Sequence, residues 1–270
     1  MTSKQRKPYL FYIEDSEEFS RGKYKAGMKY NLKNAKSLTP DIVKGKKLDL
    51  TADSIYLSRY VWSRYNDGLL SYAIVLGKPV VIPGEKGIID EQKISRLEFA
   101  HVFKNAAKRS AVANLVDRPI FRGLDVDRYL TDEYGIPRFK FEVRLAKSSG
   151  KNSNAVIDLV DSILDDPVIS KGLGIIPYFG AASAVFSIIK KKFFGTSDQE
   201  EIWPTFSTEF TGSEGSGFAL KVGRYAILSS NLSPDKVENF YRYEGEHLVD
   251  IRSGREVTEA DQFFLDVYVR

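Results

Sequence analysis

Residues 139–145 read FKFEVRL, and their alternation sets the fold class. Phe139, Phe141, Val143 and Leu145 fall on one side of an extended chain. Lys140, Glu142 and Arg144 fall on the other, the pattern of a half-buried strand. The C-terminal FFLDVYVR repeats it, with Phe263, Leu265, Val267 and Val269 sharing a face. Further strands are expected at Tyr9–Ile13, Leu48–Thr51, Ser54–Trp62, Leu69–Leu76, Pro79–Ile82, Phe218–Leu228 and His247–Ile251. Turn signals at Asn66-Asp67-Gly68, Pro83-Gly84 and Ser253-Gly254 punctuate them. The 15 Tyr and 17 Phe suit this reading, because aromatic rings pack well across strands.

Helical spacing is confined to two regions. Over Ile94–Val116, Leu97, Ala100, Phe103 and Ala107 recur at helical intervals, and Pro119 stops the pattern. In NAVIDLVDSILDDP, Val156, Leu159, Val160, Ile163 and Leu164 form one apolar stripe, with Ser153 or Asn154 placed to cap it. Pro167, Gly172 and Gly174 mark a turn, and Pro177 opens a second helix that Gly195 closes. The expected fold is therefore mainly β (α+β). A sandwich-like or distorted-barrel framework carries an amphipathic helical hairpin over 154–194 and one further helical region near 94–116. The polar run STEFTGSEGSG (207–217) reads as a mobile loop. KSSGKNSN near residue 150 offers a division between 1–150 and 151–270, within one domain or between two.

Between Lys171 and Lys190 lie eighteen uncharged residues, followed by three lysines and two phenylalanines. A membrane span needs about 20 apolar residues, and this stretch spends several on glycine, proline and serine. It is a poor constitutive span. Tyr178, Phe179, Phe186 and Phe193 supply bulk, while Gly180, Ala184, Ser183 and Ser187 allow close approach of another helix. Lys190, Lys191 and Lys192, with Phe193 and Phe194, would suit an anionic bilayer surface if the helix were released.

Net charge is +4, yet residues 1–150 hold 28 Lys/Arg against 18 Asp/Glu and residues 151–270 hold 12 against 18. An anionic partner or attraction between the halves would explain this asymmetry. Tyr56, Tyr60 and Trp62 alternate in SIYLSRYVWSRY beside Arg59 and Arg64, an arrangement able to stack bases and hold phosphates.

The chain has no cysteine, which excludes disulfides, thiol nucleophiles and thiolate zinc sites. Its two histidines, His101 and His247, accompany no G-x-S-x-G or H-E-x-x-H motif. Asp125, Asp127, Asp132 and Glu133 open like a calcium loop but lack its glycine and twelfth-position glutamate. No phosphate-cradling or dinucleotide fingerprint occurs. The sequence thus names no catalytic residue, metal or cofactor. It points to a non-enzymatic interaction or assembly module whose partner is another protein or a second copy. The alternatives are a membrane-acting effector that releases helix 177–194, and a nucleic-acid binder. The N-terminal apolar run Pro8–Ile13 is too short for a secretory signal, so a cytoplasmic site, with peripheral membrane association open to it, is expected.

Overall fold

The computed structural model describes residues 7–18, 28–56, 58, 67–76, 96–103, 112–131, 134–148, 199–214 and 217–270. In chain order the strands are β1 (Lys7–Ile13), β2 (Lys29–Asn34), β3 (Lys47–Tyr56), β4 (Asp67–Leu76), β5 (Arg96–Phe103), β6 (Val112–Asp125) and β7 (Arg138–Ser148). They continue with β8 (Gln199–Thr211), β9 (Phe218–Ala219), β10 (Gly223–Ser230), β11 (Tyr241–Glu244), β12 (His247–Asp250) and β13 (Asp261–Val269). One short helix, α1 (Pro234–Phe240), precedes β11. Eight strands form one sheet in the order β12-β11-β2-β1-β10-β13-β3-β6, and five form a second in the order β5-β4-β7-β8-β9. Both sheets draw strands from both sides of residue 150.

The second sheet covers one face of the first. Phe139, Phe141 and Val143 of β7 and Phe210 of β8 share a core with Leu10, Tyr12, Tyr225, Ile227, Phe263 and Leu265. The rings of Phe139 and Phe210 stack at 5.0 Å, and Phe210 meets Tyr225 edge-on at 5.2 Å. The opposite face of the first sheet is concave and holds a second core, which includes Phe11, Ile13, Ala226, Leu228, Tyr243, Leu248 and Phe264. With apolar contacts on both faces, β10 is buried at all eight positions.

Ring distances show how far this sheet curls. Tyr56 on β3 and His247 on β12 have ring centroids 6.3 Å apart. Six inter-strand steps separate β3 from β12 in the sheet order, which in a flat sheet would be about 28 Å. The sheet is therefore rolled into a nearly closed half-barrel. The mainly β, sandwich-like reading holds at this level.

Several local expectations are corrected. Residues 94–116 are not a helix where they are described: Arg96–Phe103 is β5 and Val112 begins β6. RLEFAHVF carries the spacing of both structures, since Leu97, Phe99, His101 and Phe103 also alternate. Its unbroken ladder with β4, from Gly68↔Phe103 to Val75↔Arg96, decides the matter. The start of the expected loop, Ser207–Thr211, is the end of β8; Thr208 and Phe210 are buried while Ser207 is exposed. The expected single strand Phe218–Leu228 is broken at 220–222, where β9 ends and the chain turns into β10. β2, β11 and α1 had no counterpart among the sequence expectations. The hairpin 154–194, the strand Pro79–Ile82 and the extension of β3 through Arg59–Trp62 lie outside the described residues.

Candidate functional site

The half-barrel is closed by polar side chains reaching across its concave face. Arg224 follows Gly223 at the start of β10 and pairs in register with Asp266 of β13. Only 3% of its surface is exposed, so its charge requires partners within the protein. Asp266 provides a two-point match: Nε donates to Oδ1 and Nη2 to Oδ2, each at 2.7 Å. Nη1 donates to the Tyr243 hydroxyl at 2.6 Å. Nη2 also lies 3.1 Å from Oδ1 of Asp53.

Asp53 reaches this cluster through an irregularity in β3. Phe264 pairs with Ser54 and Leu265 with Ala52, which leaves Asp53 as the extra residue of a bulge. Bulges re-aim side chains in this way. Tyr243 arrives by the curl, since β11 and β10 are separated by β2 and β1 and would stand about 14 Å apart in a flat sheet. Four strands thus converge on one guanidinium.

Burial alone would favour loss of the Arg224 proton. The charge of Asp266 and its hydrogen bonds outweigh that, holding the guanidinium more firmly protonated than usual. Burial raises the hydroxyls of Tyr243 and Tyr268 above the ordinary tyrosine range, so both remain neutral phenols at physiological pH. The cluster consists of a permanent cation, carboxylates tied to it and neutral phenols. Its chemistry is that of a clasp.

A second clasp closes the other end. Buried Gln262 of β13 accepts from the amide of Leu248 at 3.0 Å and donates to the carbonyl of Val257 at 2.8 Å, joining β13 to β12 and the segment beside it. A third cluster sits where β9 turns into β10. Lys221 pairs with Glu17, lies 5.3 Å above the Tyr12 ring and stands 4.0 Å from Asp41. Partial burial opposes ionisation of Glu17, but the hydrogen bond from Lys221 prevails and holds its carboxyl below the ordinary value of 4.5. A lowered folded-state value means stabilisation that is complete above pH 4.5 and lost as the pH falls through the folded value. Glu17→Gln is therefore expected to melt below the parent near neutrality, with the difference vanishing in acid; thermal melts across pH check this.

Among the sequence-derived candidates, Tyr56 is 6% exposed. Its ring meets Phe264 edge-on at 6.0 Å, so it is core and presents no free stacking face. Burial raises its hydroxyl as well. Arg59, Tyr60, Trp62, Arg64 and all of Tyr178, Phe179, Gly180, Ala184, Phe186, Ser187, Lys190, Lys191, Lys192, Phe193 and Phe194 lie outside the described residues. His101 stands on β5 and His247 begins β12. In the acidic stretch, Asp125 accepts from the amide of Arg128 and Asp127 from that of Gly45. Among the described residues no group of three or more metal-ligating side chains gathers, and no helix is long and apolar enough to cross a membrane.

The clasp residues escaped the sequence reading. Their signal was a charge within a strand that is apolar on both faces: Arg224 in GRYAILSS and Asp266 in FFLDVYV. Neither position is compatible with a solvated face. No family model, curated protein or solved structure matches this chain.

Proposed function

We propose that this chain is a non-enzymatic interaction or assembly module that meets a protein partner or a second copy through the helical hairpin expected over 154–194 and through aromatic surfaces. One observation supports this most. β7 and β8 pair up to Ser148↔Gln199, so the fifty residues between them leave and rejoin neighbouring positions of one ladder. The β7–β8 ladder runs to its last pair among the described residues alone. A long insertion that a framework does not need for its own ladder is commonly functional, and this one carries the small-residue stripe Gly180, Ala184, Ser187 and the bulky Tyr178, Phe179 and Phe186.

Ala184→Leu combined with Ser187→Leu would block close approach along that stripe. The expected result is association weakened by about tenfold or more, roughly 1.4 kcal/mol, with the melting temperature unchanged. Sedimentation over a concentration series measures this. Unaltered association would remove the hairpin from the reading.

A membrane-acting effector is the second reading, favoured by charge. Connections 57–66 and 104–111 join strands at the same end of the second sheet, as the pairs Asp67↔Ser148 and Gly68↔Phe103 define it. Those two connections contain Arg59, Arg64, Lys104, Lys108 and Arg109 and no Asp or Glu. With Lys190–Lys192 they would suit anionic headgroups. Leakage of anionic vesicles that is abolished by replacing Lys190–Lys192 with Glu would favour this reading.

A further inference from the structure

A sheet edge is a row of backbone donors and acceptors open to another strand, and proteins normally blunt such edges. Among the described residues the two sheets have four edges, and three are blunted. Alongside β12, the amide of Asp250 donates to Arg255 at 2.9 Å and that of Val257 to Leu248 at 2.8 Å, with Val249 bridged to Glu256. The two-residue β9 is flanked by residues 36–41: Lys36 lies 5.6 Å over the Phe218 ring, and the Asp41 amide donates to Leu220. The β6 edge is interrupted by three shifts of register against β3 and by Pro119, which has no amide hydrogen.

Among the described residues, β5 shows none of these devices. Its eight residues, RLEFAHVF, contain neither proline nor glycine, and its ladder with β4 runs without a shift. Among the described residues, nothing pairs with its outer edge. A regular strand of this kind is a template for a further strand.

We infer that β5 pairs antiparallel with β5 of a second copy, joining two five-stranded sheets into one across a two-fold axis. The inference rests on the assembly reading and names the partner as another copy of the chain. Because the other edge of that sheet is covered, such pairing closes at a dimer. A two-fold through Phe99 sets Leu97 opposite His101, Glu98 opposite Ala100 and Arg96 opposite Val102, with no like charges facing. Shifting the axis to Glu98 would set that carboxylate opposite its own copy, which places the centre at Phe99 or its neighbour Ala100.

The absence of cysteine makes the test direct. Single cysteines are placed in turn from Arg96 to Phe103 in the full chain, and those variants that melt like the parent are mildly oxidised. At the axis a residue faces its own copy at about 4.5–5.5 Å between Cα atoms, within disulfide reach. Three positions away the two copies are about 20 Å apart along the strands. Cross-linking into dimers should peak sharply near Phe99→Cys and fall off toward both ends of β5. A flat profile overturns the inference, whether the protein is monomeric or dimeric. Dimers that do not cross-link through β5 but dissociate on Ala184→Leu with Ser187→Leu leave the assembly reading standing without β5. Dimers that cross-link near Phe99 and survive that pair of changes support β5 and remove the hairpin.

Discussion

Asp266→Ala is expected to cost about 3–5 kcal/mol of stability, because it leaves a buried guanidinium without its principal counter-charge. Asp53, whose side chain is 17% exposed, would remain at 3.1 Å, as would the neutral Tyr243 hydroxyl. Neither reproduces the two-point match of Asp266. The cost follows from stranding a charge, and it therefore depends on Arg224 being present. Replacing the pair together, Arg224→Met with Asp266→Leu, removes the stranded charge and should cost less than Asp266→Ala alone. Urea unfolding of the two variants provides the comparison. A double variant as damaged as the sum of two single changes would show that the pair is not the unit described here.

Gly223→Ala is expected to be comparably damaging for a different reason. Gly223 has φ +133°, a conformation side chains rarely adopt. An added methyl would stand 2.5 Å from Oγ of Ser16, 2.6 Å from the Tyr12 hydroxyl and 3.0 Å from a Tyr12 ring carbon. Those atoms are already committed: Ser16 Oγ accepts from the Arg224 amide at 2.8 Å, and the Tyr12 hydroxyl donates to the Val222 carbonyl at 2.7 Å. Backbone strain of about 1–3 kcal/mol adds to overpacking of about 1–3 kcal/mol. Tyr12→Phe removes one of the two crowding oxygens, the one at 2.6 Å, but leaves that of Ser16 in place. In the Gly223→Ala background it should therefore recover part of the loss, although alone it destabilises by deleting a buried hydrogen bond. A denaturation cycle over the four proteins measures that coupling, and strict additivity would contradict the steric account.

Period-two patterns made much of the fold legible. β1, β4, β7, β12 and β13 each follow an apolar alternation or a short apolar run between turn signals. β5 was hidden because an eight-residue segment satisfies helical and strand spacing together, and only its ladder with β4 separates the two. β2, KYNLKN, is largely polar and is held by its neighbours β1 and β11. The curl was not legible, since it depends on contacts such as Tyr56 with His247 between residues far apart in sequence. The clasp was half legible. A charge inside a fully buried strand announces that a partner exists, but the identity of that partner depends on register and, for Asp53, on a bulge.

The measurement that tests the assembly reading most directly is hydrogen exchange of the full chain at low and high protein concentration. β10 and β13, closed in by both cores, should exchange slowly and identically at the two concentrations. Protection in β5 and in the segment 149–198 should rise with concentration, as amides there become covered by a second copy. Protection independent of concentration throughout the chain would contradict self-assembly through either element.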